Sequence, residues 1–322
     1  MRRPFAIATP ARRRGRGEGQ GGLGTGLWAA VARSGRLDRV APHIRAHPLP
    51  AFFLLAYGVS WGILLVLAGL LREPAAIAIA TVGPSVGAWV VLTATDGKPA
   101  RDDLVRRVRL WRVRPRWYLV ALVGIPAACL AAAAVLPGGA DALATPSRAG
   151  MAVTFLAYLV LGFFSGPLFE EPGWRGFALP RLEVAHGPLG GTLLLGVLWG
   201  AWHLPQFLVP AWAAENGGAD PLTVIEFLLL VVALSPLLTW VYNSTGSLWI
   251  AMVVHASINA SLAAVPAPPG GPMLVGLGAF VAIDLALVAA TRGHLGYDAE
   301  AARRLAAADT AARGMHTSRS VT

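Results

Sequence analysis

Charge is what this sequence has least of. Of its 322 residues only 14% are Asp, Glu, Lys or Arg, while 55% are hydrophobic; an ordinary soluble domain carries about a quarter charged residues. That deficit excludes a conventional soluble fold. Cysteine is almost missing as well. Cys129 stands alone, so no intrachain disulfide framework and no cysteine zinc cluster is possible. The first 22 residues, MRRPFAIATPARRRGRGEGQGG, lack the apolar core of a cleavable signal peptide. No internal repeat is visible. Acidic residues are outnumbered 17 to 27, for a net charge of +10. Such an excess can mark a nucleic-acid binder, but here the arginines cluster between and outside the apolar runs, as the positive-inside rule expects. No nucleic-acid partner is expected.

What is present is long apolar runs, each near the roughly 20 residues that cross a bilayer as a helix. The expected fold is therefore all-α: a polytopic membrane helix bundle of about eight transmembrane helices. We place them at about 51–71, 75–95, 117–136, 150–170, 188–209, 222–242, 247–264 and 272–290. The seventh is the weakest, being short and carrying His255 and Asn259. Residues 1–46 read as a basic, largely disordered arm, with GLWAAVARSGRL as a short interfacial helix. Residues 47–294 read as the helix bundle and 295–322 as a tail. Arginine orients the bundle. The loop Asp96 to Arg116 holds one Lys and seven Arg, the arm ten Arg and the tail after Ala290 five. An even number of spans then puts both termini and every basic segment in the cytoplasm of a multi-pass cell-membrane protein.

Ionisable residues inside such helices are costly and are functional candidates by default. Three stations carry them: LFEEPGWRGF with Glu170, Glu171 and Arg175; WGAWHLP with His203; and VVHASINAS with His255 and Asn259. Glu171 and Arg175 are four apart and share a helix face, so they can neutralise each other. Glu170, about 100° round the helix, lacks that partner and is free to take a proton from water. His255 and Asn259 share one face, and His203 shares its face with Trp199. Pro172 disfavours helix at Glu171, a conflict that disappears if Pro172 opens a new segment. Each station also has a plain structural reading: an interfacial ion pair, a packing histidine, an Asn bonding a neighbouring helix. Trp199 and Trp202 read as lipid-facing or packing aromatics. Together the stations supply what amide hydrolysis needs: a base, a proton shuttle and oxyanion donors.

The residues resemble the CAAX-protease and bacteriocin-processing (abortive-infection) family of intramembrane proteases. Its pattern is Glu-Glu-x-x-x-Arg, Phe-x-x-x-His and His-x-x-x-Asn or Asp. It stands here as Glu170-Glu171-x-x-x-Arg175, Trp199-x-x-x-His203 and His255-x-x-x-Asn259, over about 150–265. Trp199 departs from the phenylalanine of the pattern. The resemblance implies that Glu170 activates water with help from His203, that His255 and Asn259 stabilise the oxyanion, and that Glu171 and Arg175 hold the site's shape. It implies a membrane-associated protein or peptide substrate cut near the cytoplasmic face, with membrane lipid around the bundle.

Metal stays open. His203, His255 and Glu170 could hold one zinc, yet His-Glu-x-x-His is absent, and a base with oxyanion donors needs no metal. Rival functions are a non-catalytic scaffold or bacteriocin-immunity protein, and a proton-coupled transporter. The three stations also disagree in depth. By helical rise Glu170 falls near the inner surface, His255 roughly 12 Å deep and His203 deeper still. For them to meet, the fourth span must continue past Glu171 or start further out, and the fifth must start beyond the membrane plane.

Overall fold

A computed structural model describes residues 36–67, 73–145, 147–266 and 271–300. Most of the basic arm, with the first ten residues of the GLWAAVARSGRL stretch, and the tail from 301 lie outside them. Among the described residues every regular element is helical. Six helices among the described residues are long and apolar enough to cross a membrane: Pro48–Leu67, Ala75–Thr95, Pro115–Val135, Arg148–Ser165, Pro221–Thr245 and Met273–Thr291. The chain is an integral membrane protein. The exact count of eight expected from the sequence is not shown among the described residues. The runs at 188–209 and 247–264 form helices of 16 and 17 residues, Pro188–His203 and Leu248–Ala264. Val265, before Pro266, is extended, as a following proline favours, whereas Leu204, before Pro205, keeps helical angles and the first helix passes into a 3₁₀ turn, Leu204–Leu208. These two helices carry the second and third stations.

Small residues let the helices approach. Helix α1 (Pro48–Leu67) packs along α2 (Gly83–Thr95). A Cβ on Gly83 would come within 2.4 Å of the Ala56 carbonyl oxygen, so glycine there sets the helix spacing. Helix α3 (Arg148–Ser165) is capped by Ser147, whose Oγ accepts the Gly150 N–H at 2.9 Å. It stops at Gly166, and Pro167 opens α4 (Pro167–Gly173) as a first-turn proline. Pro172 therefore does not open a segment, the condition under which the sequence conflict at Glu171 would have disappeared. It sits inside α4, where it removes one backbone hydrogen bond, and the following turn, Trp174–Ala178, is π-helical.

Helix α5 (Leu179–His186) continues the same rod. Gly187 then adopts φ +74°, a conformation that favours glycine, and α6 (Pro188–His203) runs back along it. The contact is tight, since a Cβ on Gly191 would lie 2.6 Å from the backbone of Leu182 and Glu183. This hairpin resolves the conflict of depths. Gly187 is seventeen residues after Glu170 and sixteen before His203, so going out and coming back at the same rise brings the two level. The fourth run does continue past Glu171, and the fifth does start beyond the level of the site.

Helix α7 (Pro221–Thr245) is capped by Asp220, whose Oδ1 accepts the Leu222 and Thr223 N–H groups at 3.1 and 3.2 Å. Helix α8 (Leu248–Ala264) starts at Ser247, whose Oγ accepts the Ile250 N–H at 3.1 Å and donates to the Leu110 carbonyl. It packs along α3. Helix α9 (Gly271–Thr291) lies against α7.

The junction of α4 with α2 seats the first station. A Cβ on Gly173 would fall 2.5 Å from backbone and side-chain atoms of Pro84, and neither neighbour is a flexible side chain that could swing aside. Gly173→Ala is expected to destabilise the protein by about 1–3 kcal/mol, the usual cost of overpacking. Thermal unfolding of the detergent-solubilised protein measures it. An unchanged midpoint would mean that the α2–α4 contact opens freely.

Candidate active site

Three segments meet within the bundle. Helix α4 and its π turn bring Glu170, Glu171 and Arg175; α6 brings Trp199 and His203; α8 brings His255 and Asn259. All but Asn259 are buried, and Glu171 and Arg175 are fully so at 0% exposure. A charge that dry must be neutralised locally. Arg175 Nη1 donates to Glu171 Oε1 at 3.1 Å, and His255 Nδ1 reaches the same oxygen at 2.8 Å. One carboxylate oxygen thus ties α4 to its own next turn and to α8.

The other glutamate has different company. Glu170 Oε2 accepts the indole N–H of Trp199 at 2.8 Å. A Cβ on Gly166 would sit 3.0 Å from Glu170 Oε1, so the residue at the break between α3 and α4 leaves room for that carboxylate. His203 Nδ1 lies 2.9 Å from the Trp199 carbonyl oxygen. A carbonyl only accepts, so Nδ1 carries the proton and Nε2 is the nitrogen left with a lone pair. The same reasoning at His255, whose Nδ1 faces a carboxylate, leaves its Nε2.

Trp199 stands at the centre. The Arg175 guanidinium lies 4.3 Å from its ring centroid, and the His255 ring meets it edge-on at 5.1 Å. The hairpin explains the first contact, because Arg175 and Trp199 are each twelve residues from Gly187. Trp199 and Trp202 are both about 1% exposed, so neither faces lipid. The sequence reading missed the part Trp199 plays. The signal was there: an indole N–H buried in a membrane helix needs an acceptor, and phenylalanine at that position would supply none. It also missed the His255–Glu171 contact, because spacing within α8 paired His255 only with Asn259.

Glu170, Trp199, His203, His255 and Asn259 all line one cavity of about 1160 Å³, whereas Glu171 and Arg175 do not reach it. The two adjacent glutamates are thereby separated, one on the cavity wall and one behind it. The trio weighed for zinc does not fit a metal. Among the described residues no three His, Cys, Asp or Glu side chains are gathered closely enough to hold one. The chemistry considered below rests on the chain's own side chains.

Fold and site together define a helical membrane protein with a carboxylate–histidine cluster on the wall of an internal cavity. Residues 152–261, the segment that contains all three stations, match the family described as Type II CAAX prenyl endopeptidase Rce1-like. It is also similar to CAAX prenyl protease 2 of Methanococcus maripaludis, with 28% identity over 93 residues. That alignment covers 28% of this chain, which spans about a third (34%) of the relative's length.

The buried pair yields a stability prediction. Arg175→Met strands the Glu171 carboxylate and is expected to lose about 3–5 kcal/mol. Adding Glu171→Gln removes the stranded charge and should recover part of the loss. Unfolding temperatures of the single and double variants in one detergent compare them. A single variant as stable as wild type would show that the pair does not hold the fold.

Proposed function

We propose that this protein is an intramembrane endopeptidase, hydrolysing a peptide bond of a membrane-associated protein or peptide with water activated by Glu170. The observation that carries the reading is the placement of Glu170. Its carboxylate is on the cavity wall, oriented by the Trp199 N–H, with His203, His255 and Asn259 around the same space. The match of residues 152–261 to that family supports it.

In this reading Glu170 takes a proton from a water in the cavity, and the water oxygen attacks the scissile carbonyl carbon. The carbonyl π electrons move to oxygen. Asn259 is the favoured donor to that oxyanion, since its amide carries N–H groups at every pH, while His255 Nδ1 is already engaged by Glu171. Collapse of the tetrahedral species breaks the C–N bond. The proton held by Glu170, relayed where needed through His203 Nε2, passes to the leaving nitrogen, giving a carboxylic acid and an amine. Glu171 and Arg175 act from behind the wall by fixing α4 against α8.

Helical rise puts the site near one face of the membrane. His255 is seven residues into α8, or about 10 Å along it, and a Cβ on Gly176, five residues past Glu171, would touch Leu248 at the start of α8. The arginine-rich connection Asp96–Arg116 lies at that same end, as the Ser247–Leu110 hydrogen bond requires. By the positive-inside rule this end and both termini are cytoplasmic.

Glu170→Gln keeps the side chain's shape and its bond to Trp199 while removing the proton acceptor. Cleavage of a native membrane substrate is expected to fall about 10²–10⁴-fold, with unfolding temperature unchanged. Asn259→Ala is expected to slow it about 10²–10³-fold. Comparing peptide termini in membranes of wild type and variant cells finds the substrate and measures both. A purified Glu170→Gln protein cleaving at the wild-type rate would remove the protease assignment and leave a scaffold.

A further inference from the structure

The cavity is closed at the end where the chemistry stands and open at the other. Its floor is formed by Glu170, His203 and His255, all buried. Beneath them lie the Glu171–Arg175 pair and then Gly176, whose carbonyl is taken by Arg107 Nη1 at 3.1 Å. No residue of the 96–116 connection, of α5 or of the start of α8 lines the cavity. The opposite end is lined by Thr145, Ser147 and Glu215, all exposed, and by Asn216. Between the two ends Gly150, Thr154, Tyr158, Gly162 and Gly166 line the wall at a spacing of four, one face of α3.

The two ends of the bundle also differ in charge. The connections at the mouth, 137–148 and 209–220, contain Asp141, Glu215 and Asp220 with a single Arg, Arg148, and the short connection LREP on the same side adds one more, Arg72. The connection Asp96–Arg116 at the closed end contains one Lys and seven Arg. On the charge rule that orients membrane helices, the closed end faces the cytoplasm and the mouth faces away from it.

We infer that the substrate chain reaches the site from the non-cytoplasmic side of the membrane, through the mouth between residues 142–150 and 211–216, although the reacting groups stand nearer the cytoplasmic surface. Gly150 and Gly166 are separated by about 24 Å along α3, so an extended chain must insert about seven residues to reach Glu170. The cavity, about 1160 Å³, exceeds the roughly 300–1,000 Å³ of small-molecule sites, as a polypeptide occupant requires. The substrate class is a chain end or an unfolded loop on the non-cytoplasmic side. This rests on the protease reading for the word substrate. The route itself does not depend on it.

Cysteine labelling tests the route. Cys129, buried in the bundle, is replaced by Ala, and single cysteines are placed at Thr145 in the mouth, Thr154 and Gln206 in the cavity, and Asp102 in the arginine-rich connection. Each is treated with a small, cationic, membrane-impermeant methanethiosulfonate in right-side-out and inside-out vesicles. Thr145→Cys, Thr154→Cys and Gln206→Cys are expected to react at least tenfold faster in right-side-out vesicles, and Asp102→Cys at least tenfold faster in inside-out ones. The proposal is overturned if Asp102→Cys shows the reverse preference. It is overturned equally if the cavity cysteines react faster in inside-out vesicles or in neither. Thr154→Cys, on the wall of α3, carries the test should Gln206→Cys not fold. Repeating the labelling with Glu170→Gln separates the two readings. An unchanged labelling pattern beside undiminished cleavage would remove the protease and keep the route.

Discussion

A guanidinium with no exposure to solvent inside a membrane protein constrains everything near it. Arg175 can exist as a cation there only because Glu171 Oε1 lies 3.1 Å away and the face of Trp199 covers its other side at 4.3 Å. The same oxygen receives His255 Nδ1, so the pair links α4 to α8, and the covering indole links both to α6. Three segments far apart in the chain are tied at one point of low dielectric, where ion pairs are strong and a missing partner is expensive. The position of Glu170 follows from that clamp. It is adjacent to Glu171 in sequence, so fixing one glutamate behind the wall turns the next towards the cavity.

The division of labour among helices follows from the polar stations. Long apolar helices such as α7 form the surrounding wall, while α6 and α8 are shorter, α6 passing into a 3₁₀ turn and α8 stopping before Pro266. The chain reaches the site from three directions: α4 continuing past the break at Gly166, α6 returning from the turn at Gly187, and α8 rising from Ser247. Small residues hold these approaches close, with Gly173 against Pro84 and Gly191 against the backbone of α5. Substituting Trp for Phe at 199 adds one hydrogen-bond donor at the point where all three meet, and in the proposed mechanism that donor orients the base.

Much of this was legible in the sequence. The scarcity of charge and the length of the apolar runs established an all-helical membrane protein, because hydrocarbon tolerates only backbone that satisfies its own hydrogen bonds. The three motifs were found by spacing, and the pairing of Glu171 with Arg175 follows from four residues of helix. The number of crossing helices was less legible. Apolar composition alone could not show that the run expected at 188–209 would leave the α-helix at His203, nor that Pro167 rather than Pro172 would open the new segment.

What only the tertiary structure decided is which partner each polar group takes. His255 belongs by spacing with Asn259, yet its Nδ1 is bound to Glu171, on a helix that nothing local connects to it. Trp199 read as a packing or lipid-facing ring, yet its N–H is bound to Glu170, twenty-nine positions earlier. The direction in which the cavity opens was invisible too, since its wall draws on helices from Ile77 to Met273. Periodicity records neighbours along one helix. Contacts between helices depend on where each helix breaks and turns, and here a glycine with positive φ at 187 and a break at Gly166 decided them.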